Sequence, residues 1–127
     1  MFEIEEIPNE DFLFMRVHKT NIDEDGEPHP RAFKNQPTDN HGMSVDWSKY
    51  AQAIDTKNRA KKPAENAVIK FTAGSARAIP NQTIIHEPIE HPEPNQAHTE
   101  VFGSKKIPTE VRARFMDIYE IAIPLEA

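Results

Sequence analysis

The stretch NQTIIHEPIEHPEPNQAHTEVFG, residues 81–103, sets the plan of the chain. Two apolar segments, 82–87 and 97–102, have the composition of strands and flank a segment that contains three prolines. Because proline cannot donate to a strand ladder, the sequence predicts a surface loop over residues 88–96 between two strands. The whole stretch also holds three of the six histidines, which are His86, His91 and His98.

The same reasoning extends to both sides of this stretch. Apolar runs or alternation predict further strands at 11–18, 43–47 and 67–71, and a short one at 31–34. Ser48 has the character of an N-cap and predicts a short helix after the strand at 43–47.

The clearest predicted helix runs from Pro108 to Ala122. Proline suits the first turn of a helix, and Val111, Phe115 and Ile118 repeat at helical spacing. The predicted fold class is therefore α+β, with a mostly antiparallel sheet packed against a C-terminal helix. At 127 residues the length is that of one domain. We assign it to residues 1–127, with loops at about 19–30, 55–66 and 88–96.

Composition limits the classes of function. The chain has no cysteine, so a disulfide framework and a thiolate metal site are excluded. A net charge of −6 argues against binding to nucleic acid, which depends on Lys and Arg. The expected partners are a protein or a small anionic ligand. Apolar runs stay well short of the roughly 18 residues of a membrane span, and the start is acidic, so we expect no membrane partner and a cytoplasmic location.

Three histidines are the candidate catalytic residues: His18 at the end of the first strand, and His86 and His98 on either side of the loop. Imidazole titrates near neutral pH, so a histidine pair can act as acid and base. Residues 18–20 (HKT) resemble the His-x-Thr motif of two-histidine phosphoesterases, whereas residues 98–100 (HTE) carry the hydroxyl one position too early for a second motif. Exposed histidines without a catalytic role are the alternative.

A metal site is a further use for these residues. His86, His98 and either Glu87 or Glu100 would supply nitrogen and oxygen ligands adequate for zinc or iron. Their spacing matches no metal-binding motif, and we expect both glutamates to point away from the histidines. We therefore predict no metal ligand and assign no cofactor.

A second set of side chains suits an anion. Arg16 shares a strand face with His18, and Arg31 and Arg77 supply two more guanidinium groups, which pair well with phosphate or carboxylate. With Asn95 from the loop, these arginines are the predicted binding residues. Structural ion pairs with the many glutamates are the alternative explanation for the arginines.

Two segments, MSVDWSKY (43–50) and NQAHTEVFG (95–103), resemble a family of small bacterial proteins without an assigned activity. The resemblance extends over most of the chain and implies a bacterial or phage setting. It supplies neither a function nor a site residue.

Two functions stay open from the sequence. The first is a small cytoplasmic binding or accessory protein, linked to a toxin, defence or mobile-element operon, that acts through the His/Glu/Pro loop 86–100. The alternative is a hydrolase or transferase that acts on a phosphate-containing substrate with His18, His86 and His98. The sequence does not decide whether the protein is an enzyme.

Overall fold

A computed structural model describes residues 1–37, 40–105 and 110–126. The strands are β1 (Phe12–His18), β2 (Met43–Trp47), β3 (Asn66–Thr72), β4 (Thr83–His86), β5 (His98–Phe102) and β6 (Glu120–Ile123). The helices are α1 (Ala53–Asn58), α2 (Ala73–Arg77) and α3 (Glu110–Ile118). The strands form one sheet in the order β4-β5-β2-β1-β3-β6, and each neighbouring pair is antiparallel. The predicted α+β class, with an antiparallel sheet and a helix near the C-terminus, is confirmed.

The predicted C-terminal helix is too long at its end. α3 stops at Ile118, and Glu120–Ile123 forms β6, which pairs with β3 at the edge of the sheet. The run Glu-Ile-Ala-Ile alternates as a strand does, and its apolar residues also fit helical spacing, so sequence periodicity alone is ambiguous there. Residues 108–109, the start of the predicted helix, lie outside the described residues.

Two shorter elements also differ from prediction. Ser48 does not cap a helix, because its Oγ accepts a hydrogen bond from the Phe12 N–H at 3.1 Å. α1 begins later, at Ala53, where Asp55 accepts from the N–H of Gln52 in a capping box. Residues 30–32 form a single 3-10 turn in place of the predicted short strand at 31–34.

One face of the sheet builds the hydrophobic core. Alternate residues of a strand point to the same face, and on this face they pack against α2, α3 and the N-terminal segment. Phe33 stacks on Phe115 of α3 with ring centroids 5.1 Å apart. The strand residues of this core are Leu13, Met15, Val17, Met43, Val45, Trp47, Ile69, Phe71, Ile84 and Val101.

The opposite face carries polar side chains and is partly covered by α1. Asp46 on β2 accepts a hydrogen bond from Thr56 of α1 at 2.8 Å, and Arg16 on β1 donates to the Thr56 carbonyl at 2.9 Å. Lys57 of α1 donates to the Asn66 carbonyl at 2.8 Å. These contacts hold α1 against β1, β2 and β3. Within the described residues, none of the helices has the length and apolar character needed to cross a membrane.

Candidate functional site

A cavity of about 550 Å³ opens on the polar face, where β1 and β2 separate. β1 is registered with β3 at seven positions, but with β2 only at Leu13↔Trp47 and Phe14↔Asp46. Four described residues of the segment that connects the two strands line the resulting cavity: Asn21, Ala32, Lys34 and Gln36. The charged and titratable side chains of the lining are Arg16, His18, Lys34, Asp46, Arg59 and His98.

Asp46 is the most highly connected group in the cavity wall. The residue is only 4 % exposed. Oδ1 accepts from the Asn95 amide at 2.9 Å, Oδ2 accepts from the Thr56 hydroxyl at 2.8 Å, and the Arg59 Nε lies 3.5 Å from Oδ2. A buried carboxylate is costly unless hydrogen bonds and a cation compensate its desolvation, and here all three partners contribute.

Arg16 supplies a second cation, and most of its hydrogen-bond donors have no partner among the described residues. A guanidinium has five N–H donors, and in the described part of the chain one of them, on Nη1, reaches the Thr56 carbonyl. Desolvation lowers the pKa of Arg16, Asp46 opposes that effect and Arg59 adds to it. Arginine nevertheless remains charged at any physiological pH, so the cavity holds a cation beside a carboxylate that is already satisfied.

His98 joins the cavity to a second group of side chains on β2 and β5. Its Nδ1 lies 3.4 Å from the Ser44 Oγ, and its Nε2 lies 3.3 Å from Oε2 of Glu100. His98 is 9 % exposed and Glu100 is 3 % exposed. The three side chains lie on one face because Ser44 is registered with Glu100 and Asp46 with His98. A hydroxyl and a carboxylate therefore contact the two nitrogens of one imidazole.

Glu100 is held as an anion. Burial acts to raise its pKa, but the Gly42 N–H, which donates to Oε1 at 2.7 Å, and the imidazoles of His98 and His41 outweigh burial, so the pKa is lowered. Glu87 lies within hydrogen-bonding reach of Glu100, and its pKa is raised by burial and by the charge of Glu100. The two carboxyl groups therefore divide into one ionised group and one that takes up a proton more readily.

The structure brings two of the three predicted catalytic histidines to one cavity. His18 and His98 both line it, whereas His91 and His86 do not. His18 is exposed, and its Nε2 lies 3.9 Å from Glu65 while its Nδ1 accepts from the Thr20 N–H. The hydroxyl of Thr20 is 3.0 Å from the same Nδ1.

His86 lies on the core face and is only 1 % exposed. Its Nδ1 accepts from the Glu5 N–H at 3.0 Å, so the proton lies on Nε2, which donates to the Gln96 carbonyl at 2.7 Å. The ring also packs against Trp47 at 5.1 Å and Tyr50 at 6.1 Å between centroids. With both nitrogens occupied and no exposed edge, His86 fastens the N-terminal segment to the sheet.

The predicted binding residues are similarly divided. Arg16 and Asn95 line the cavity. Arg31 lies in the connecting segment, where it donates to the Asn21 side chain and the Thr20 carbonyl, each at 2.8 Å. Arg77 is at the end of α2, donates to Asn9 at 2.7 Å and belongs to a different part of the surface.

The loop 88–96 is tied to the sheet more closely than predicted. Glu87 donates through its N–H to the His98 carbonyl at 3.0 Å, and Ile89 and Asn95 exchange backbone hydrogen bonds of 3.0 and 2.8 Å. The pairing of β4 with β5 therefore continues past Pro88 as far as Ile89. Its far side carries Glu90, which contacts the N-terminal amine at 3.8 Å.

The expected orientation of Glu100 relative to His98 is wrong. Glu100 does not point away from His98, because residues two apart on a strand share a face, and their side chains lie 3.3 Å apart. Among the described residues, no group of three or more His, Cys, Asp or Glu side chains is arranged to hold a metal ion.

Several cavity residues escaped the sequence reasoning: Ser44, Asp46, Thr56 and Arg59. The alternation in 43–47 indicates that Ser44 and Asp46 share a face. Their proximity to α1 and to Asn95 depends on the strand order, for which the sequence holds no comparable signal. Comparison with protein-family models, curated proteins and solved structures gives no match. Function therefore has to be inferred from the cavity itself.

Proposed function

We propose that the protein binds a small anionic ligand, such as a phosphate or carboxylate compound, in the cavity between β1 and β2. The observation that carries the proposal is the charge of the lining. Among the described residues, three cations face one carboxylate there, in a chain whose net charge is −6. The cations are Arg16, Lys34 and Arg59.

The state of that one carboxylate strengthens the proposal. Asp46 is engaged by Asn95, Thr56 and Arg59, so it offers little further capacity to a bound cation. Arg16 uses one of its five donors within the described part of the chain, and a planar guanidinium can hold a phosphate or carboxylate through two parallel hydrogen bonds. Partial exclusion of water from a cavity strengthens such charge-assisted contacts.

The 86–100 segment takes part in the proposal as a wall of the cavity. Ile89, Asn95 and His98 all line it, and the backbone pairs of Ile89 and Asn95 fix their positions. The binding role that the sequence assigns to this loop is thus placed, in our proposal, on its inner side. A cytoplasmic setting is part of this proposal, and the absence of cysteine from the sequence favours it.

Calorimetric titration with pyrophosphate, a compact multivalent anion, tests the proposal. We expect saturable binding that weakens as salt concentration rises. Arg16→Gln and Arg59→Gln should each weaken binding by about 10- to 100-fold, because a hydrogen bond to a charged group contributes roughly 1.5–3 kcal/mol. Arg16→Lys should lie between wild type and Arg16→Gln, since lysine keeps the charge but loses the fork.

Arg77→Gln is the matched control. Arg77, like Arg16, donates through Nη1 to an oxygen of the protein, but it lies outside the cavity, so its substitution should leave the affinity within about twofold of wild type. Equal losses of affinity in the Arg77 and Arg16 variants would mean that pyrophosphate binding depends only on the net charge of the protein. The absence of saturable binding by pyrophosphate and by a dicarboxylate such as succinate would contradict the proposal.

A further inference from the structure

Ser44, His98 and Glu100 form a hydrogen-bonded line that the binding of an anion does not require. The Ser44 Oγ is 3.4 Å from Nδ1 of His98, and Nε2 of His98 is 3.3 Å from Glu100. The hydroxyl is on an exposed residue that lines the cavity, whereas the carboxylate at the other end is buried. Covalent catalysis uses the same order, in which the nucleophile is accessible and the carboxylate that orients the base is buried.

The protonation of this line follows from its partners. Glu100 accepts from the Gly42 N–H at 2.7 Å and is an acceptor toward its remaining neighbours when ionised. The Nε2 of His98 therefore carries the proton and donates to Glu100. Nδ1 is left as the acceptor, and its nearest partner is the Ser44 hydroxyl. A neutral imidazole that accepts from a serine hydroxyl is placed to act as a general base.

The backbone of Ser44 adds a donor on the cavity side. Trp47 donates its N–H to the Ala97 carbonyl on β5 at 2.8 Å. In an antiparallel strand the N–H groups alternate between the two neighbours, so the N–H of Ser44 points toward β1. Ser44 lies past the two registered positions of the β1–β2 ladder within the described residues. Its N–H therefore points into the gap. There it is placed to donate to the oxygen of a carbonyl group that the Ser44 hydroxyl attacks.

We propose that Ser44 is the nucleophile of an esterase activity in this cavity, with His98 as general base and Glu100 as the positioning residue. The substrate class is a carboxylic ester that carries a separate anionic group. This inference rests on the proposed function, because Arg16 and Arg59 would bind the anionic group while the ester carbonyl lies at Ser44.

The reaction balances with water as the only co-reactant. Nδ1 of His98 takes the hydroxyl proton as Oγ of Ser44 attacks the carbonyl carbon, and the Ser44 N–H donates to the developing oxyanion. The tetrahedral intermediate expels the alcohol, which leaves with the proton from His98. Water then attacks the acyl-serine ester, His98 again takes and returns the proton, and the carboxylic acid product leaves Ser44 free.

Glu100 should act through His98, because it accepts the Nε2 proton and so leaves Nδ1 to accept from the Ser44 hydroxyl. Glu100→Gln should therefore lower kcat for the anionic ester while KM and the affinity for pyrophosphate stay within about twofold of wild type, a split that a purely structural role would not produce. The charged and titratable groups around this part of the face are Glu100, Glu87, Asp46, His41, Arg16 and Arg59.

The test uses the p-nitrophenyl monoester of succinate, which is an anionic ester, and p-nitrophenyl acetate as its neutral counterpart. We expect kcat/KM to be higher for the anionic ester.

Ser44→Ala should lower kcat by about 100-fold or more while pyrophosphate affinity changes less than twofold. In wild type quenched with acid, the peptide that contains Ser44 should carry one succinyl group, and Ser104→Ala, an exposed serine control, should retain full activity.

The outcomes separate this inference from the binding proposal. If Ser44→Ala retains wild-type hydrolysis, or if no succinyl group appears on Ser44, the nucleophile is overturned even where pyrophosphate binds. If pyrophosphate fails to bind and both esters react equally through Ser44, the binding proposal and the anionic substrate class fail while the nucleophile stands. An unfolded Ser44→Ala variant would be replaced by Ser44→Val, which lacks the hydroxyl and suits a strand, judged by the same criteria.

Discussion

Asn95 donates a hydrogen bond of 2.9 Å from its side-chain amide to Asp46, which lies 49 residues earlier in the chain. The same side chain accepts from the Ala97 N–H at 3.0 Å. One amide therefore holds the end of a proline-rich loop and satisfies one oxygen of a buried carboxylate on β2. This bond joins the loop to the sheet at the wall of the cavity.

Asn95→Ala should lower the free energy of unfolding by about 2–3 kcal/mol, because it leaves a buried oxygen of Asp46 without its donor. Denaturant unfolding measures the loss. Asn58→Ala removes an exposed amide at the end of α1 and should change stability by less than about 0.5 kcal/mol. A loss at Asn95 no greater than that at Asn58 would show that the Asp46 bond is not formed in solution.

His86→Ala should be destabilising without affecting binding. It removes two backbone partners and the ring that packs on Trp47, and we expect a loss of about 3 kcal/mol in the free energy of unfolding. Pyrophosphate affinity, measured well below the unfolding temperature, should stay within twofold of wild type. His91→Ala, an exposed position on the same loop, should be neutral in both measurements. Loss of pyrophosphate binding in His86→Ala with stability intact would contradict this structural role of His86.

Phe115→Ala tests whether α3 is docked as the structure has it. The ring is fully buried, stacks on Phe33 at 5.1 Å and meets Phe71 edge-on at 5.7 Å between centroids. A buried phenylalanine truncated to alanine costs roughly 3–5 kcal/mol in the free energy of unfolding. Arg114→Ala, on the exposed side of the same helix, supplies the comparison. Similar unfolding midpoints for the two variants would be evidence against this packing.

The pair Glu87 and Glu100 predicts a particular pH dependence. Burial and the charge of Glu100 raise the pKa of Glu87. The contribution of Glu87 to stability is therefore fully present below its unfolded pKa and is lost as the pH rises through the folded pKa. Glu100 has a lowered pKa, so its contribution is present above the unfolded pKa and is lost as the pH falls through the folded one.

Glu87→Gln should therefore stabilise the protein at about pH 8, by roughly 0.5–1 kcal/mol, because an amide donates to Glu100 as a protonated carboxyl does and carries no charge. The gain should disappear toward about pH 4, where the wild-type carboxyl is itself protonated. Thermal unfolding across this pH range measures the difference. Glu93→Gln, an exposed loop position, should show no such trend; a parallel trend would assign the effect to net charge.

The sequence predicts the strands of this fold better than the neighbours of each strand. Alternation over 43–47 and the apolar run at 67–71 correspond directly to β2 and β3. β6 was missed because the residues after Ile118 satisfy both a helical and an extended period. Only the free edge of β3, a tertiary feature, decides between them.

The residues of the candidate site were also predictable only in part, because the sequence shows the chemistry of a side chain more clearly than the face of the sheet on which it lies. Arg16, His18, Asn95 and His98 belong to segments whose chemistry is visible in the sequence, and all four line the cavity. His86 has the same chemistry, yet its position in the four-residue strand β4 places it on the core face. A slip of one residue in a strand exchanges the two faces, and the sequence alone does not fix that register beside Pro88.

The most direct test of the central claim is a titration of the isotope-labelled protein with pyrophosphate, followed by two-dimensional proton–nitrogen NMR spectra. The account predicts that the backbone amide signals of Arg16, Ser44 and Asn95 shift together and saturate with one dissociation constant. The signals of Arg77 and Phe115 should stay in place. Shifts that cluster around Arg77, or that grow linearly without saturation across the whole surface, would contradict an anion site between β1 and β2.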